Sequence, residues 1–289
     1  MQATKSNTLK VPGASLYHEV RGSGPVLLLI CGGVYDAGGY APLAERLADR
    51  YTVVTYDRRG NSRSPLDGPP APQQIEVHGD DAHRLLAATG VNSGEPAHVF
   101  GNSSGAMIGL ELTARHPEQV RTLVAHEPPL FELLPDREYW RSAIRNVEET
   151  FRKEGAGAAT QALGAAFASS GDPTPETEGR MPGGGEAQAQ PDPETMAMMA
   201  RLQQNMEFFI GYEVPPFSTY VPDFAALLVS AVRIVPAVGQ ASVGEPPHRA
   251  AVAVAERLAT PAVAFPGDHG GFGSQAEAFA VKLDEVLSR

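Results

Sequence analysis

Ser103 lies in Gly101-Asn102-Ser103-Ser104-Gly105, directly after the apolar run Ala97-His98-Val99-Phe100 and before the helix-like stretch Ala106-Met107-Ile108-Gly109-Leu110. In a G-x-S-x-G pattern between strand and helix, a sharp turn exposes the serine hydroxyl, and the flanking glycines permit the strained, closely packed backbone that the turn needs. The pentapeptide alone is a weak signal, so the reading depends on what else the chain supplies. Acyl transfer at a serine needs a base within hydrogen-bond reach, an acid to orient that base, and donors for the oxyanion. Of the eight histidines, His269 is the best placed, in the glycine-rich loop Pro266-Gly267-Asp268-His269-Gly270-Gly271-Phe272 between the last strand pattern and the last helix pattern. Open α/β sheets hold their sites on such loops, at the carboxyl ends of the strands. His18, His78, His83 and His116 read as structural residues on helix or strand surfaces, and His98 as core-packed. His126 stays open because it adjoins an acid, Glu127.

The elements that must position these residues alternate between short β-branched or Leu-rich runs and amphipathic helical stretches, the pattern of a parallel α/β sheet. Thr8–Val11, Ser15–Arg21 and Val26–Ile30 suggest an antiparallel opening, with turns at Pro12-Gly13 and Gly22-Ser23-Gly24. Further strands are expected at 51–56, 97–100, 121–125, 232–238 and 262–265, and helices at 40–50, 73–90, 249–258 and 275–287. A compositionally different stretch, 131–220, interrupts the alternation. Within it Glu148–Leu163 reads as a helix, 171–193 as a Pro/Gly-rich mobile loop, and Thr195–Ile210 as an apolar helix with Met196, Met198, Met199, Met206, Phe208 and Phe209. These Met and Phe side chains either pack the helix onto the main domain or, in part, line an adaptable apolar pocket. Tyr35, Met199, Met206 and Phe209 are the pocket candidates.

The composition narrows the function classes. A chain of 289 residues can bury a full core, and 42% hydrophobic residues is ordinary for a soluble globular protein. No stretch approaches the roughly 18 apolar residues of a membrane span. The first residues, Met1-Gln2-Ala3-Thr4-Lys5-Ser6-Asn7, contain no apolar signal core, and the single cysteine, Cys31, excludes an internal disulfide. A net charge of −11 argues against nucleic-acid or anionic-membrane partners. The expectation is a cytoplasmic protein acting on a small molecule without a cofactor, a homodimer being admitted. No His/Cys/Asp cluster has metal-ligand spacing.

Taken together, the turn Tyr56-Asp57-Arg58-Arg59-Gly60-Asn61-Ser62-Arg63-Ser64, the Ser103 pentapeptide and the His269 loop resemble the α/β-hydrolase fold superfamily over nearly the whole chain. The turn is similar to the superfamily's D-x-R-G-x-G-x-S; Asp57, Arg58 and Arg59 read as structural ties of that loop. The resemblance implies a mostly parallel eight-stranded sheet flanked by helices, a helical cap after strand 6, and the chain order Ser, acid, His. The core would then comprise residues 1–130 and 221–289 and the cap 131–220.

The acid departs from the common pattern. Most members carry an aspartate in a G-x-x-D loop after strand 7, whereas this loop reads Val238-Gly239-Gln240-Ala241-Ser242-Val243-Gly244-Glu245. A serine or alanine there cannot hold an imidazolium by charge. Some members, including certain haloalkane dehalogenases, place the acid at the end of strand 6, and Val120–Glu127 resembles that arrangement. Glu127 is therefore the candidate acid, with Glu245 and Asp268 as alternatives; the competing view is that Glu127 only marks the cap entrance and that no working acid exists. For the oxyanion, Ser104 N–H follows the nucleophile, and Gly33 in Cys31-Gly32-Gly33-Val34-Tyr35 takes the position of the superfamily's His-Gly-x donor. Cys31 replaces that histidine and reads as a buried thiol rather than a nucleophile. The expected chemistry is hydrolysis of a carboxylic ester, thioester or lactone through Ser103, His269 and Glu127. Cofactor-free C–C hydrolysis, lyase or cyclase chemistry, or a non-catalytic small-molecule-binding role, are the alternatives on the same fold.

Overall fold

The computed structural model describes residues 4–91, 94–170 and 193–289. The stretch read as a mobile loop lies outside them, apart from Pro193, which opens a helix.

Eight strands form one sheet in the order β1-β2-β4-β3-β5-β6-β7-β8. They are β1 (Lys5–Val11), β2 (Ala14–Arg21), β3 (Val26–Ile30), β4 (Thr52–Tyr56), β5 (Ala97–Asn102), β6 (Val120–His126), β7 (Arg233–Gly239) and β8 (Val263–Phe265). β2 runs antiparallel to both β1 and β4, and every pairing from β4 to β8 is parallel. The helices are α1 (Ala41–Leu47), α2 (Ile75–Ala88), α3 (Ser104–Arg115), α4 (Arg137–Glu154), α5 (Ala156–Ser169), α6 (Pro193–Phe208), α7 (Val214–Phe217), α8 (Phe224–Val229), α9 (Pro246–Arg257), α10 (Gly271–Ser274) and α11 (Ala276–Leu287).

The central strands are apolar at nearly every position because both faces are covered. Leu28, Ile30, Val54, Val99 and Leu123 pack with α2, α3 and α9, while Leu27, Leu29, Phe100, Val124 and Val235 pack with α1 and α11. Helices α4 to α8 lie between β6 and β7. Trp140, Ile144 and Val147 of α4 are buried in the same apolar cluster as α2 and α3, which joins the insertion to the core. Among the described residues no helix is long and apolar enough to cross a membrane.

Several local expectations need correction. Glu148–Leu163 is not one helix: α4 ends at Glu154, and Gly155, at φ +87, turns the chain before α5 begins. The apolar helix expected to end at Ile210 stops at Phe208 and continues as a π-helical turn, Phe209–Glu213. The regular ladder cannot run on through Pro215 and Pro216, which have no N–H to give. His18 and His78 are buried, not on surfaces. The His78 ring lies edge-on to Phe217, because the inserted helices cover this face of α2.

Candidate active site

Ser103 stands between β5 and α3 with φ +55 and ψ −127, a conformation that costs an L-residue about 1–3 kcal/mol and persists only where the surroundings impose it. Its N–H donates to His126 O (2.9 Å), and its carbonyl accepts from Ala106 N–H (2.9 Å) and Met107 N–H (3.3 Å). The flanking glycines are required by space: a Cβ on Gly105 would lie 2.1 Å from Ile30 O, and one on Gly101 2.3 Å from Gly105 O. The Ser103 side chain makes no hydrogen bond among the described residues and stands half-buried at the N-terminus of α3, whose first N–H groups have no intrahelical acceptor.

Glu127 is the residue immediately after β6. Its φ of +48 turns the chain out of the strand, and its N–H donates to Ala237 O (3.0 Å) at the end of β7. The side chain is fully buried, and every contact it makes suits a carboxylate. Oε1 accepts Gly239 N–H (2.8 Å) and the Ser242 hydroxyl; Oε2 lies 2.7 Å from His269 Nδ1. Burial alone would raise this carboxyl's pKa. The His269 hydrogen bond and charge, with smaller help from His126 and Ser242, reverse the sign and bring it down to about 2. The serine that occupies the strand-7 loop thus hydrogen-bonds the glutamate from strand 6. Asp268 is turned into its own loop, where Oδ1 accepts Gly270 N–H (2.8 Å). Glu245 has its pKa raised by burial and by the charge of Glu127, the opposite of what a partner of His269 would show.

Asn102, which the sequence reading passed over, ties three parts of the site together. Its Nδ2 donates to His269 O (3.0 Å) and contacts His126 Nδ1 (3.0 Å). Because a carbonyl only accepts, the amide nitrogen must face both groups, so His126 Nδ1 is an acceptor and the proton sits on Nε2. Burial among Phe100, Phe265 and Phe279 pushes the His126 pKa down to about 4 and keeps the ring neutral.

The candidate oxyanion donors also come together, with one difference from expectation. A Cβ on Gly32 would meet Asn102 O at 2.3 Å and Ser103 Cβ at 2.7 Å, so the loop after β3 presses on the elbow. Gly33 has φ +54, and its N–H already donates to Ser104 Oγ (3.0 Å), a bond it would have to share or exchange to serve an oxyanion. The Gly33 carbonyl accepts from Arg58, whose other arm pairs with Glu213 of the inserted segment at 2.7 Å, both side chains being fully buried. Asn205 of α6 donates to Val34 O (2.8 Å) and receives Ser62 N–H (2.7 Å), and Arg201 pairs with Asp36 at 3.0 Å. The insertion therefore grips the candidate oxyanion loop through three side chains. Arg59 forms a two-armed pair with Asp81, both bonds 2.7 Å, as a structural tie should. The Arg58 contacts were signalled only by its place in the Asp57–Ser64 turn.

Cys31 is buried, its thiol donating to Asp36 O (3.2 Å), and burial raises its pKa well above the ordinary range. Of the pocket candidates, Tyr35 is exposed and edge-on to Phe272 of the His269 loop (5.6 Å). Met206 and Phe209 are partly buried against the core cluster, and Met199 is exposed on α6. Among the described residues, folding also forms one group that linear spacing hid, His83, His116 and Glu118, with candidate ligand atoms within 4.8 Å. The two rings stack at 3.7 Å and 14°, so their in-plane lone pairs run parallel and do not converge on a common metal position.

The family model described as the alpha/beta hydrolase fold matches residues 25–197. A Bacillus subtilis protein named "Uncharacterized hydrolase YraK" is 38% identical over 98% of this chain and 96% of its own length. Among solved structures, a thermophilic esterase from Thermogutta terrifontis superposes with a TM-score of 0.70 at 20% identity, covering 100% of this chain and 98% of the esterase. The enol-lactonase from Burkholderia xenovorans LB400 gives 0.69 at 18% identity, covering 98% and 100%. The chain belongs to the α/β-hydrolase fold family and is one of its hydrolases.

Proposed function

We propose that the protein is a serine hydrolase that cleaves a carboxylic ester, thioester or lactone of a small apolar substrate through an acyl-enzyme on Ser103. The observation that carries this reading is the 2.7 Å contact between Glu127 Oε2 and His269 Nδ1, on the loops that flank the Ser103 elbow. A carboxylate held ionised there fixes the His269 proton on Nδ1 and leaves Nε2 as the base. His269 then takes the Ser103 proton as Oγ attacks the carbonyl. The oxyanion forms between the N–H groups of Ser104 and Gly33, donors of a kind worth about 3–4 kcal/mol each in the transition state. The proton returns to the leaving oxygen or sulfur, and His269 next activates a water that releases the acid and restores Ser103.

The similarity to an esterase and an enol-lactonase supports the carbonyl class, and the inserted helices, taken as a cap over 131–220, support a small, apolar substrate. The missing aspartate after β7 had favoured a non-catalytic role; the Ser242 and Gly239 contacts to Glu127 weaken that argument. Hydrolysis of p-nitrophenyl acetate and butyrate, an acyl thioester and a γ-lactone, measured for the wild type and Ser103→Ala, tests the proposal. Turnover of at least one substrate class that disappears in Ser103→Ala is expected. Equal rates in the two proteins would overturn it.

A further inference from the structure

A cavity of about 620 Å³ opens at the end of the sheet opposite Ser103, where the parallel strands begin. His98 and Ser103 sit at the two ends of β5, so at 3.3 Å per residue the cavity is roughly 16 Å from the candidate nucleophile. Arg50, Arg121, Arg233 and Arg289 line it together with His98 and Thr122, and no Asp or Glu side chain among the described residues does so. This gathering of positive charge stands on a chain whose formal net charge is −11.

The strand register shows how the site is built. His98 is opposite Thr122, and Thr122 opposite Arg233, so the three side chains stand in a row on one face of β5, β6 and β7. At this level the β5–β6 ladder slips: Ala97 is opposite Val120, but His98 is opposite Thr122. Arg121 is the residue in excess. A bulge of this kind is rare between parallel strands and re-aims the side chain it inserts. Arg121 is exposed and has no hydrogen bond or ion pair among the described residues. Arg50 is occupied by Asp284, and Arg233 gives one N–H to Val286 O (2.7 Å).

His98 adds the second, independent sign. The residue is only 6% exposed, and its Nδ1 has no hydrogen-bond partner among the described residues. Burial, reinforced by Arg121 and Arg233, lowers its pKa to about 4, so at neutral pH it offers one N–H and one lone pair. Guanidinium forks, a hydroxyl and a neutral imidazole match the donors and acceptors of a phosphate monoester. The volume lies in the range of small-ligand sites and exceeds what a bare anion fills.

We propose that this cavity binds a small organic phosphate, its phosphoryl oxygens on Arg121 and Arg233 and its remaining contacts on Thr122 and His98. The site is independent of the chemistry at Ser103. Isothermal titration of the full chain with inorganic pyrophosphate tests it, at constant ionic strength and with citrate as a second arm. The variants are Arg121→Gln and a charge-matched control, Arg152→Gln, in an exposed position on α4. One saturable pyrophosphate site is expected in the wild type and in Arg152→Gln, weakened at least tenfold in Arg121→Gln. Citrate binding as tight and as sensitive to Arg121 would overturn the phosphate assignment and leave a general anion site. No saturable binding at about 10 mM of either anion, or equal binding in Arg121→Gln, would overturn it.

Discussion

Replacing Glu127 by Gln changes one atom and tests the unusual acid directly. In the wild type Oε1 accepts two donors, Gly239 N–H and the Ser242 hydroxyl, while Oε2 faces His269 Nδ1. Glutamine has a single acceptor oxygen. Two donors hold that oxygen in the Oε1 position, which turns the NH₂ toward His269. Nδ1 must then become an acceptor, the proton moves to Nε2, and the ring presents a donor where Ser103 needs a base. The same tautomer error in the serine protease triad, with an asparagine for the aspartate, lowers kcat by about 10⁴. A loss of about 10³–10⁴ in kcat/KM, or about 4–5.5 kcal/mol of transition-state stabilisation, is expected here. The assay is p-nitrophenyl ester hydrolysis at pH 7 to 8, with near-ultraviolet circular dichroism to establish that the variant is folded. A folded Glu127→Gln enzyme within tenfold of the wild type would rule out Glu127 as the residue that orients His269. A parallel Ser242→Ala variant removes one hydrogen bond and leaves the charge, so a loss of about tenfold is expected for it.

The Glu127 carboxyl titrates near pH 2 in the folded chain against an ordinary value of 4.5, so its stabilising contribution is complete above pH 4.5 and is lost as the pH falls toward 2. Urea unfolding should therefore show the wild type losing more stability than Glu127→Gln between pH 5 and pH 3; parallel curves would contradict the shift. For the same reason Glu127 should add no second protonation to the acid limb of kcat/KM above pH 4, and a slope of two there would count against an ionised Glu127. Glu213→Gln leaves the buried Arg58 guanidinium without its counter-charge, so a stability loss of about 3–5 kcal/mol is expected in thermal or urea unfolding. The double variant Arg58→Met/Glu213→Leu should recover most of that stability yet keep a lowered kcat, because nothing then holds the Gly33 carbonyl; full activity in the double variant would reduce the pair to packing.

The fold and the strained turn that carries Ser103 were legible because both rest on local rules. Continuous apolar runs of strand length between turn residues, such as Leu27–Ile30, suit strands buried on two faces, and Gly101 and Gly105 occur where a Cβ would collide with backbone. The candidate acid was legible only as a choice, since three acids lay near the right strand ends. The contacts that favour Glu127 join residues 112 to 142 positions apart, which no spacing rule reports. Side chains that act by tying distant loops, such as Asn102 to His269 O and Arg58 to Gly33 O, left no pattern of their own. The break at Gly155 was legible in principle, but an apolar period continuing on both sides masked it. His78 looked exposed because its helix was read without the insertion that covers it.

The proposed hydrolysis requires Ser103 to be an activated nucleophile. Intact-protein mass spectrometry after exposure to a fluorophosphonate, followed by peptide mapping, measures it most directly. A single stoichiometric adduct on Ser103 is expected, absent from Ser103→Ala and formed far more slowly in Glu127→Gln. An unlabelled wild type beside a labelled control hydrolase, or an adduct on a residue other than Ser103, would contradict it.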